Sequence, residues 1–346
     1  MIYQKLFSTL KINNKVVKNR IVLPPMADFG MTKSDGLVNQ RHLDHYQRIA
    51  KATTGTIIIE ACAVTKLNEP RNTINIDNDS CINGLSKLAK AIHQYESLAL
   101  VQIMNTGLKA MKENSLTDIS INQLLKYKND FIQAAKRCQK AGFDGVEIHG
   151  AHGMFINEII ETSQRNDQYG GSFENRIRFL IEIIKEIKQE CTQDFIVGVR
   201  LGNSNLNELV LSSQACQNAG ADFLDISTGL NDYYHKPDNF PFDDKIYAAS
   251  TVKQAVTIPI IGVGNISEGM EAEEILMANM VDLVAVGRGQ LCDPLWSQKV
   301  KNDLEVNKCL NCKRCLWYRD GRKCPAINLN KSKKMENDDE NNSINW

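Results

Sequence analysis

The sequence predicts an α/β fold in which eight parallel strands form a closed (β/α)8 barrel. Eight short runs rich in valine, isoleucine and leucine alternate with stretches of helical periodicity, the pattern of a parallel sheet covered on its faces. The 346 residues are enough for eight such units in one domain. The glycine-rich turn that follows the first strand of an open dinucleotide-binding sheet is missing, because Pro24 and Pro25 stand there.

The predicted strands can be justified in order along the chain. Prolines end the first strand, residues 19–25, because proline cannot donate to a strand ladder. The second, residues 55–64, reads GTIIIEACAV and is apolar enough to be buried on both faces. The other six strands cover residues 98–104, 146–148, 195–201, 222–226, 258–263 and 281–286.

Helical periodicity fills the intervals between these strands. The residues Ser172-Phe-Glu-Asn predict a helix cap, since a serine oxygen can accept from the backbone three residues later. We expect a barrel over residues 1–305, a Cys-rich extension over 306–328 and a disordered polar tail over 329–346. The predicted helices cover residues 40–53, 80–96, 121–141, 173–189, 208–219, 244–256, 267–278 and 294–304.

Composition narrows the classes of function. Lysine plus arginine and aspartate plus glutamate both total 41, so no strong field attracts nucleic acid or an anionic membrane. The chain has no apolar run of the roughly 18 to 20 residues that a membrane span needs, and its start lacks a signal-peptide core. Six of the ten cysteines are scattered in core-like segments, where reduced thiols are expected. We expect a cytoplasmic enzyme that acts on a small molecule, and a homo-oligomer is compatible with the sequence.

The most informative stretch is residues 142–178, GFDGVEIHGAHGMFINEIIETSQRNDQYGGSFENRIR. His149 and His152 follow its short apolar strand. In a (β/α)8 barrel the active site lies at the carboxyl ends of the strands, so a histidine pair there predicts catalytic imidazoles. The alternative is a pair of structural histidines.

Other strand ends carry polar groups. Gln102 offers a donor and an acceptor to a planar heterocycle, and Arg200 can stabilise negative charge on it. Gly264 after the seventh strand, with Gly287 and Arg288 after the eighth, predicts a phosphate cradle of backbone amides and a guanidinium. The alternatives are tight turns and structural hydrogen bonds.

With these residues in place, the chain resembles the Old Yellow Enzyme, or NADH:flavin oxidoreductase, family over about residues 3–305. The longest resembling stretch, residues 142–179, is more specific than any glycine motif alone. The resembling stretches are LFSTLKINNKVVKNRIVLPPM, TIIIEACAV, AGFDGVEIHGAHGMFINEII, RNDQYGGSFENRIRF, IPIIGVGNIS and DLVAVGRGQLCDP.

The resemblance implies a TIM barrel with non-covalent FMN at its mouth, reduced by NADH or NADPH. An electron-poor acceptor, such as an alkene conjugated to a carbonyl or nitro group, then takes the hydride. His149 and His152 would bind the acceptor oxygen, and Arg200 would favour the anionic reduced flavin. The resemblance places Pro25, Met26, Ala27, Ala61, Gln102 and Arg200 along the flavin ring, and Gly264, Gly287 and Arg288 at its phosphate.

The chain departs from the family pattern at the proton donor. Met154 stands where the family usually has the tyrosine that protonates the alkene, and methionine has no proton to give. Tyr233, Tyr234, His235 or water would have to replace it. Otherwise the enzyme would reduce quinones or oxygen without efficient alkene reduction. Ala27, Phe29 and Asn105 also differ from residues that are common in the family.

The extension carries Cys309, Cys312, Cys315 and Cys324, a spacing typical of an iron-sulfur or zinc ligand set. The set resembles the [4Fe-4S] motif of the 2,4-dienoyl-CoA reductase branch, although the last spacing differs. A flexible, metal-free extension is the alternative. For the whole chain, a different class of function is a non-flavin barrel lyase, which needs a Schiff-base lysine or a metal carboxylate set that the strand ends lack.

Overall fold

Eight parallel strands close on themselves in the computed structural model of the chain, which describes residues 2–65, 73–106, 115–162, 164–228 and 234–328. The strands are β1 (Leu10–Ile12), β2 (Lys15–Val17), β3 (Ile21–Leu23), β4 (Thr56–Ala63), β5 (Leu98–Met104), β6 (Gly145–Gly150), β7 (Ile196–Leu201), β8 (Phe223–Ile226), β9 (Ile260–Val263) and β10 (Leu283–Ala285). Around the barrel the order is β10, β3, β4, β5, β6, β7, β8 and β9, so the predicted fold class is confirmed.

Helices between the strands cover the outside of the barrel. Ser172 caps its helix as predicted: its hydroxyl accepts from the backbone N–H of Asn175 at 3.4 Å. Asn39 and Ser120 cap two others through reciprocal side-chain bonds. The helices are α1 (Gln40–Lys51), α2 (Cys81–His93), α3 (Ile121–Lys140), α4 (Phe155–Thr162), α5 (Phe173–Glu190), α6 (Leu206–Asn218), α7 (Asp244–Lys253), α8 (Gly269–Met277), α9 (Arg288–Cys292) and α10 (Trp296–Lys301).

The structure adds a hairpin and two short α-helices to the predicted elements. The hairpin β1–β2 precedes the barrel, and α4 and α9 follow β6 and β10. The two hairpin strands have three residues each, too few for a clear alternation of apolar and polar residues. The five residues of α9 are likewise too few to show helical periodicity.

The hairpin closes the amino-terminal end of the barrel, which we call the floor. Ile12 and Val17 are buried against side chains that fill this end of the barrel interior. Phe223 is the largest of them, and its ring fills the space beside Gly198, where an added Cβ would lie 2.0 Å from the ring. The floor is therefore sealed by apolar packing.

The carboxyl-terminal end of the barrel, the mouth, is covered differently. Residues after α10 fold back toward the loop that follows β3, where the backbone N–H of Phe29 donates to the carbonyl of Tyr318 at 3.1 Å. The predicted tail, residues 329–346, lies outside the described residues. No helix in the described parts of the chain is long and apolar enough to cross a membrane.

Candidate active site at the barrel mouth

The structure brings the predicted site residues of the barrel to one end. Pro25, Met26 and Ala27 follow β3 directly, and Gly264 follows β9. Gly287 and Arg288 follow β10, where Arg288 begins α9 and the backbone of Gly287 lies close to Met26. Ala61, Gln102, His149 and Arg200 lie in the carboxyl-terminal halves of β4, β5, β6 and β7, and His152 lies in the turn after β6. These residues lie at the same end because the eight strands are parallel, so all of their carboxyl ends point the same way.

Strand register sets neighbouring polar side chains beside one another. Gln102 of β5 is aligned with Glu147 of β6, and the amide nitrogen of Gln102 donates to Glu147 Oε1 at 2.8 Å. Arg200 of β7 is aligned with His149 on one side and with Asp225 of β8 on the other. A row of buried polar groups therefore crosses four neighbouring strands.

Charge is concentrated in this row. Arg200 Nε lies 3.1 Å from Asp225 Oδ2, and both side chains are almost fully buried. Burial, followed by the charge of Asp225, raises the pKa of Glu147 to about 8. Burial also raises the pKa of Asp225, although the positive charge of Arg200 opposes this shift. The guanidinium of Arg200 thus lies near the carboxyl groups of Glu147 and Asp225, and burial disfavours the charged form of both.

The two predicted imidazoles lie side by side. The ring centroids of His149 and His152 are 5.1 Å apart, with the ring planes nearly perpendicular, and the Nε2 atom of His152 lies 2.9 Å from Ser227 Oγ. Burial, then the neighbouring His152 and Arg200, hold the pKa of His149 well below its usual range. Burial and Arg200 lower the pKa of His152 to about 3. Both rings are neutral at neutral pH, so each has one N–H to donate.

Several buried polar atoms at the mouth have no hydrogen-bond partner among the residues that the structure describes. Nδ1 of His149 is one, and Asn105, Asn203 and Thr228, which follow β5, β7 and β8, supply others. Buried polar groups are nearly always paired in folded proteins. This concentration of unpaired donors and acceptors fits a polar, planar ligand that lies across the mouth and supplies the missing partners.

Arg288 lies on the opposite side of the mouth, beyond β9 and β10. Its guanidinium donates to the side-chain oxygen of Asn265 and, at 2.9 Å, to Asn311 Oδ1. The amide nitrogen of Asn265 in turn donates to Asp243 Oδ2 at 2.6 Å. These two amide oxygens orient an exposed guanidinium. The arrangement fits a phosphate site, because a planar guanidinium can donate two parallel bonds to a phosphate group.

The position of the usual proton donor is filled by Met154, one residue before α4. Of the predicted substitutes, Tyr233 lies outside the described residues. The hydroxyl of Tyr234 donates to the backbone carbonyl of Asn203, so its proton is already used. His235 follows Tyr234 in the same loop and is exposed.

The four cysteines of the extension are free thiols, three of them half-buried and Cys312 exposed. Within the described ranges, no three histidine, cysteine, aspartate or glutamate side chains lie where they could share a metal ion. The predicted zinc or iron-sulfur centre therefore stays a prediction.

Sequence reasoning missed several residues of the site. Glu147 and Asp225 were visible as lone acids inside apolar strands, a pattern that indicates an internal charge partner. Asn203 and Asn311 carried no such signal, because a single polar residue in a loop is common.

The chain is a closed (β/α)8 barrel that gathers imidazoles, a guanidinium and amides at the carboxyl ends of its strands. This is where (β/α)8-barrel enzymes have their active sites, so the chain is assigned to that class. Within this class, the sequence profile of the NADH:flavin oxidoreductase / NADH oxidase family matches residues 5–122 and 114–307. The chain belongs to that family, which confirms the resemblance to the FMN-dependent Old Yellow Enzyme type.

Individual relatives agree with this placement. The chain is 34% identical to the NADH oxidase of Thermoanaerobacter brockii over 90% of its own length and 53% of the relative's. It is 33% identical to the NADPH dehydrogenase of Halalkalibacterium halodurans, with 87% and 95% of the two chains covered. The chain thus spans about half of the first relative and nearly all of the second.

Solved structures share the fold. A 2-naphthoyl-CoA reductase complex superposes with a TM-score of 0.82 at 24% identity, over 91% of this chain and 55% of that one. The old yellow enzyme homologue from Zymomonas mobilis gives 0.73 at 20% identity, over 91% and 98%. At these identities the similarity establishes the barrel architecture alone.

Proposed function

We propose that the protein is an FMN-dependent oxidoreductase that uses NADH or NADPH to reduce an electron-poor acceptor, such as an α,β-unsaturated carbonyl or nitro compound. The observation that carries the proposal is the pair of neutral imidazoles beside Arg200, at a mouth where several buried polar atoms have no partner in the described parts of the chain. The names of the relatives, NADH oxidase and NADPH dehydrogenase, support the two reductants.

The residues present fit FMN. Arg288, with the backbone of Gly264 and Gly287, would hold the phosphate, and the ring would lie along Gln102 and Arg200. The ring would also contact Pro25, Met26, Ala27 and Ala61. When bound, FMN supplies hydride transfer between the nicotinamide and the acceptor.

The chain's own groups stabilise the charge that develops. As the acceptor takes a hydride, negative charge grows on its carbonyl or nitro oxygen. His149 and His152 each offer one N–H to this oxygen, and a fixed donor of this kind contributes about 3 to 4 kcal/mol. Neutral rings can serve in this role because each still carries one N–H. Arg200 would stabilise negative charge on the reduced cofactor, in a buried setting where the effect is strong.

A second candidate function is reduction of quinones or oxygen without efficient alkene reduction. Met154 favours this alternative, because methionine has no proton to give to the α carbon of the alkene. A positioned general acid typically raises the reaction rate by about 10²- to 10⁴-fold, so its loss slows the reduction of alkenes. A non-flavin lyase would need a Schiff-base lysine, and the described residues that directly follow the barrel strands include none.

Anaerobic stopped-flow kinetics separates these candidates. FMN-loaded protein is mixed first with NADH or NADPH and then with a cyclic enone, a nitroalkene or a quinone. Reoxidation by the enone or nitroalkene supports the first candidate. Reoxidation by quinone and oxygen only supports the second. A protein that binds no FMN would contradict both.

Metal binding by Cys309, Cys312, Cys315 and Cys324 is supported by their spacing alone. Elemental analysis of the purified protein tests it, and a metal-free protein with four reactive thiols would reject it. A cytoplasmic location likewise stays a prediction, which cell fractionation can check.

A further inference from the structure

The segment after the barrel, residues 309–321, is attached to the mouth at two places. Asn311 accepts from Arg288 at 2.9 Å, close to the end of β10. Farther along, the carbonyl of Tyr318 accepts from the backbone of Phe29 at 3.1 Å, in the loop that follows β3. Because β10 and β3 are neighbours in the barrel, the segment runs along one side of the mouth.

Buried charge strengthens the second attachment. Asp28 is 1% exposed and accepts from the backbone N–H of Gly321 at 2.8 Å. Arg41 bridges Asp28 and Asp320, at 3.5 and 3.2 Å. Hydrogen bonds to a buried carboxylate are among the stronger ones, and removing their partner is costly. The backbone around Tyr318 is therefore fixed against the loop that carries Met26 and Ala27.

Close packing leaves little freedom at this contact. An added Cβ on Gly30 would lie 2.3 Å from the carbonyl oxygen of Arg319, so the two backbones touch. The ring of Trp317 is 6% exposed and lies 5.4 Å from the ring of His45. With Trp317 turned into the protein, the next side chain, Tyr318, is 40% exposed.

The Tyr318 side chain is partly exposed next to this attachment. Its phenol is close enough to Arg200 and Arg288 for both positive charges to act on its pKa, which burial, followed by Cys315, raises. Arg200 is on β7, which lies opposite β3 in the closed eight-stranded order, and Arg288 follows β10. Because the backbone of Tyr318 is fixed beside the loop after β3, a phenol that both guanidinium groups influence faces the mouth.

We propose that Tyr318 is the proton donor that replaces the missing tyrosine at Met154, supplied by the segment beyond the barrel. This inference rests on the proposed function. The C=C double bond of the acceptor gains a hydride at its β carbon, originally from NADH or NADPH, and a proton at its α carbon. The O–H bond of Tyr318 breaks to supply that proton, and water then reprotonates the phenolate. Electrons balance, because the nicotinamide loses the two that the alkene gains.

The activity test uses Tyr318→Phe, which keeps the attachment because Tyr318 contacts Phe29 through its carbonyl. Tyr3→Phe is the matched control, since the hydroxyl of Tyr3 donates to Asp303, which is not a residue of the candidate site. Each FMN-loaded protein is given NADPH or NADH with a cyclic enone, and separately with ferricyanide, which takes electrons without protonation at carbon. We expect Tyr318→Phe to reduce the enone about 100-fold more slowly, with an unchanged ferricyanide rate. Tyr3→Phe should match the wild type in both.

A second readout does not depend on turnover. FMN-loaded wild-type protein is nitrated with tetranitromethane, with and without a saturated cyclic ketone, and the modified tyrosines are counted by peptide mass spectrometry. The ketone cannot be reduced as an alkene, but it occupies the acceptor site. We expect it to protect Tyr318 and to leave Tyr3 unchanged. Equal nitration of Tyr318 with and without the ketone would overturn the proposal.

The outcomes separate this inference from the function on which it rests. A wild-type protein that fails to reduce ferricyanide contradicts the proposed function itself. A wild-type protein that reduces ferricyanide but no enone, or a Tyr318→Phe variant that reduces the enone at the wild-type rate, overturns only the role of Tyr318. Selective loss of enone reduction in Tyr234→Phe would also overturn it, since the donor would then be in the loop after β8.

Discussion

The two ends of the barrel are built from the same strands but satisfy opposite requirements. At the floor, Ile12, Val17 and Phe223 are buried among apolar neighbours. At the mouth, buried side chains such as His149 and Asn203 have polar atoms without partners in the described ranges. The floor therefore stabilises the fold, whereas the mouth leaves hydrogen-bonding capacity for a ligand.

Strand β8 shows this contrast within four residues. Phe223 lies in the floor cluster, and Asp225, two residues later, lies beside Arg200 in the polar row. Both side chains are fully buried. Position along a barrel strand, rather than burial, thus separates a residue that holds the fold from one that shapes the site.

The largest expected effect is at the floor. Phe223→Ala removes a fully buried ring and leaves a cavity beside Gly198. We expect the free energy of unfolding to fall by about 3 to 5 kcal/mol, measured by chemical denaturation. FMN affinity of the folded fraction should not change. A variant that lost FMN affinity while keeping its stability would reverse the assignment of the two ends.

The matching change at the mouth is His149→Ala. The substitution removes one donor to the acceptor oxygen, so we expect enone turnover to fall by about 100-fold. Stability should change little, because Nδ1 of this ring has no partner among the described residues. Steady-state kinetics and a thermal melt on the same sample check both statements. Lost stability with normal turnover would mark His149 as a structural residue.

A smaller effect concerns pH. The pKa of Glu147 is raised from 4.5 to about 8, so between these values the folded protein holds a proton that the unfolded chain has lost. Stability contributed by this group is therefore present at low pH and falls as pH rises through that window. Glu147→Gln should make flavin-free protein more stable at pH 8, on the order of 2 kcal/mol, with little change at pH 4.

Denaturant titrations of the two proteins at both pH values give this difference. Some pH dependence should remain in Glu147→Gln, because burial also raises the pKa of Glu60 to about 8. A variant whose stability follows that of the wild type at every pH would show that Glu147 is ionised in the folded protein.

The smallest expected effect is on the orientation of Arg288. Asn311→Ala removes one of the two amide oxygens that hold this guanidinium. Loss of such a hydrogen bond costs about 1 kcal/mol, so FMN should bind roughly 5-fold more weakly. Fluorescence titration of flavin-free protein measures this change. An unchanged affinity for FMN would show that Asn311 of the extension does not contribute to the phosphate site.

Much of this comparison could be predicted from the sequence, because hydrophobic periodicity and strand direction are local properties. They located the eight barrel strands and set His149, Arg200 and Arg288 at one end. The hairpin was missed because its strands are too short to show a period. Tyr318 and Asn311 were missed for a different reason: their contacts with Phe29 and Arg288 depend on how the chain folds back, which no local pattern records.

Arg288 is expected to hold the phosphate of FMN at the mouth, and calorimetric titration of flavin-free protein measures this contribution. FMN and riboflavin, which lacks the phosphate, are each titrated into the wild type and into Arg288→Ala. We expect the wild type to prefer FMN by about 100-fold and the variant to lose most of that preference. A wild type that binds neither flavin, or a variant that keeps the full preference for FMN, would contradict the account.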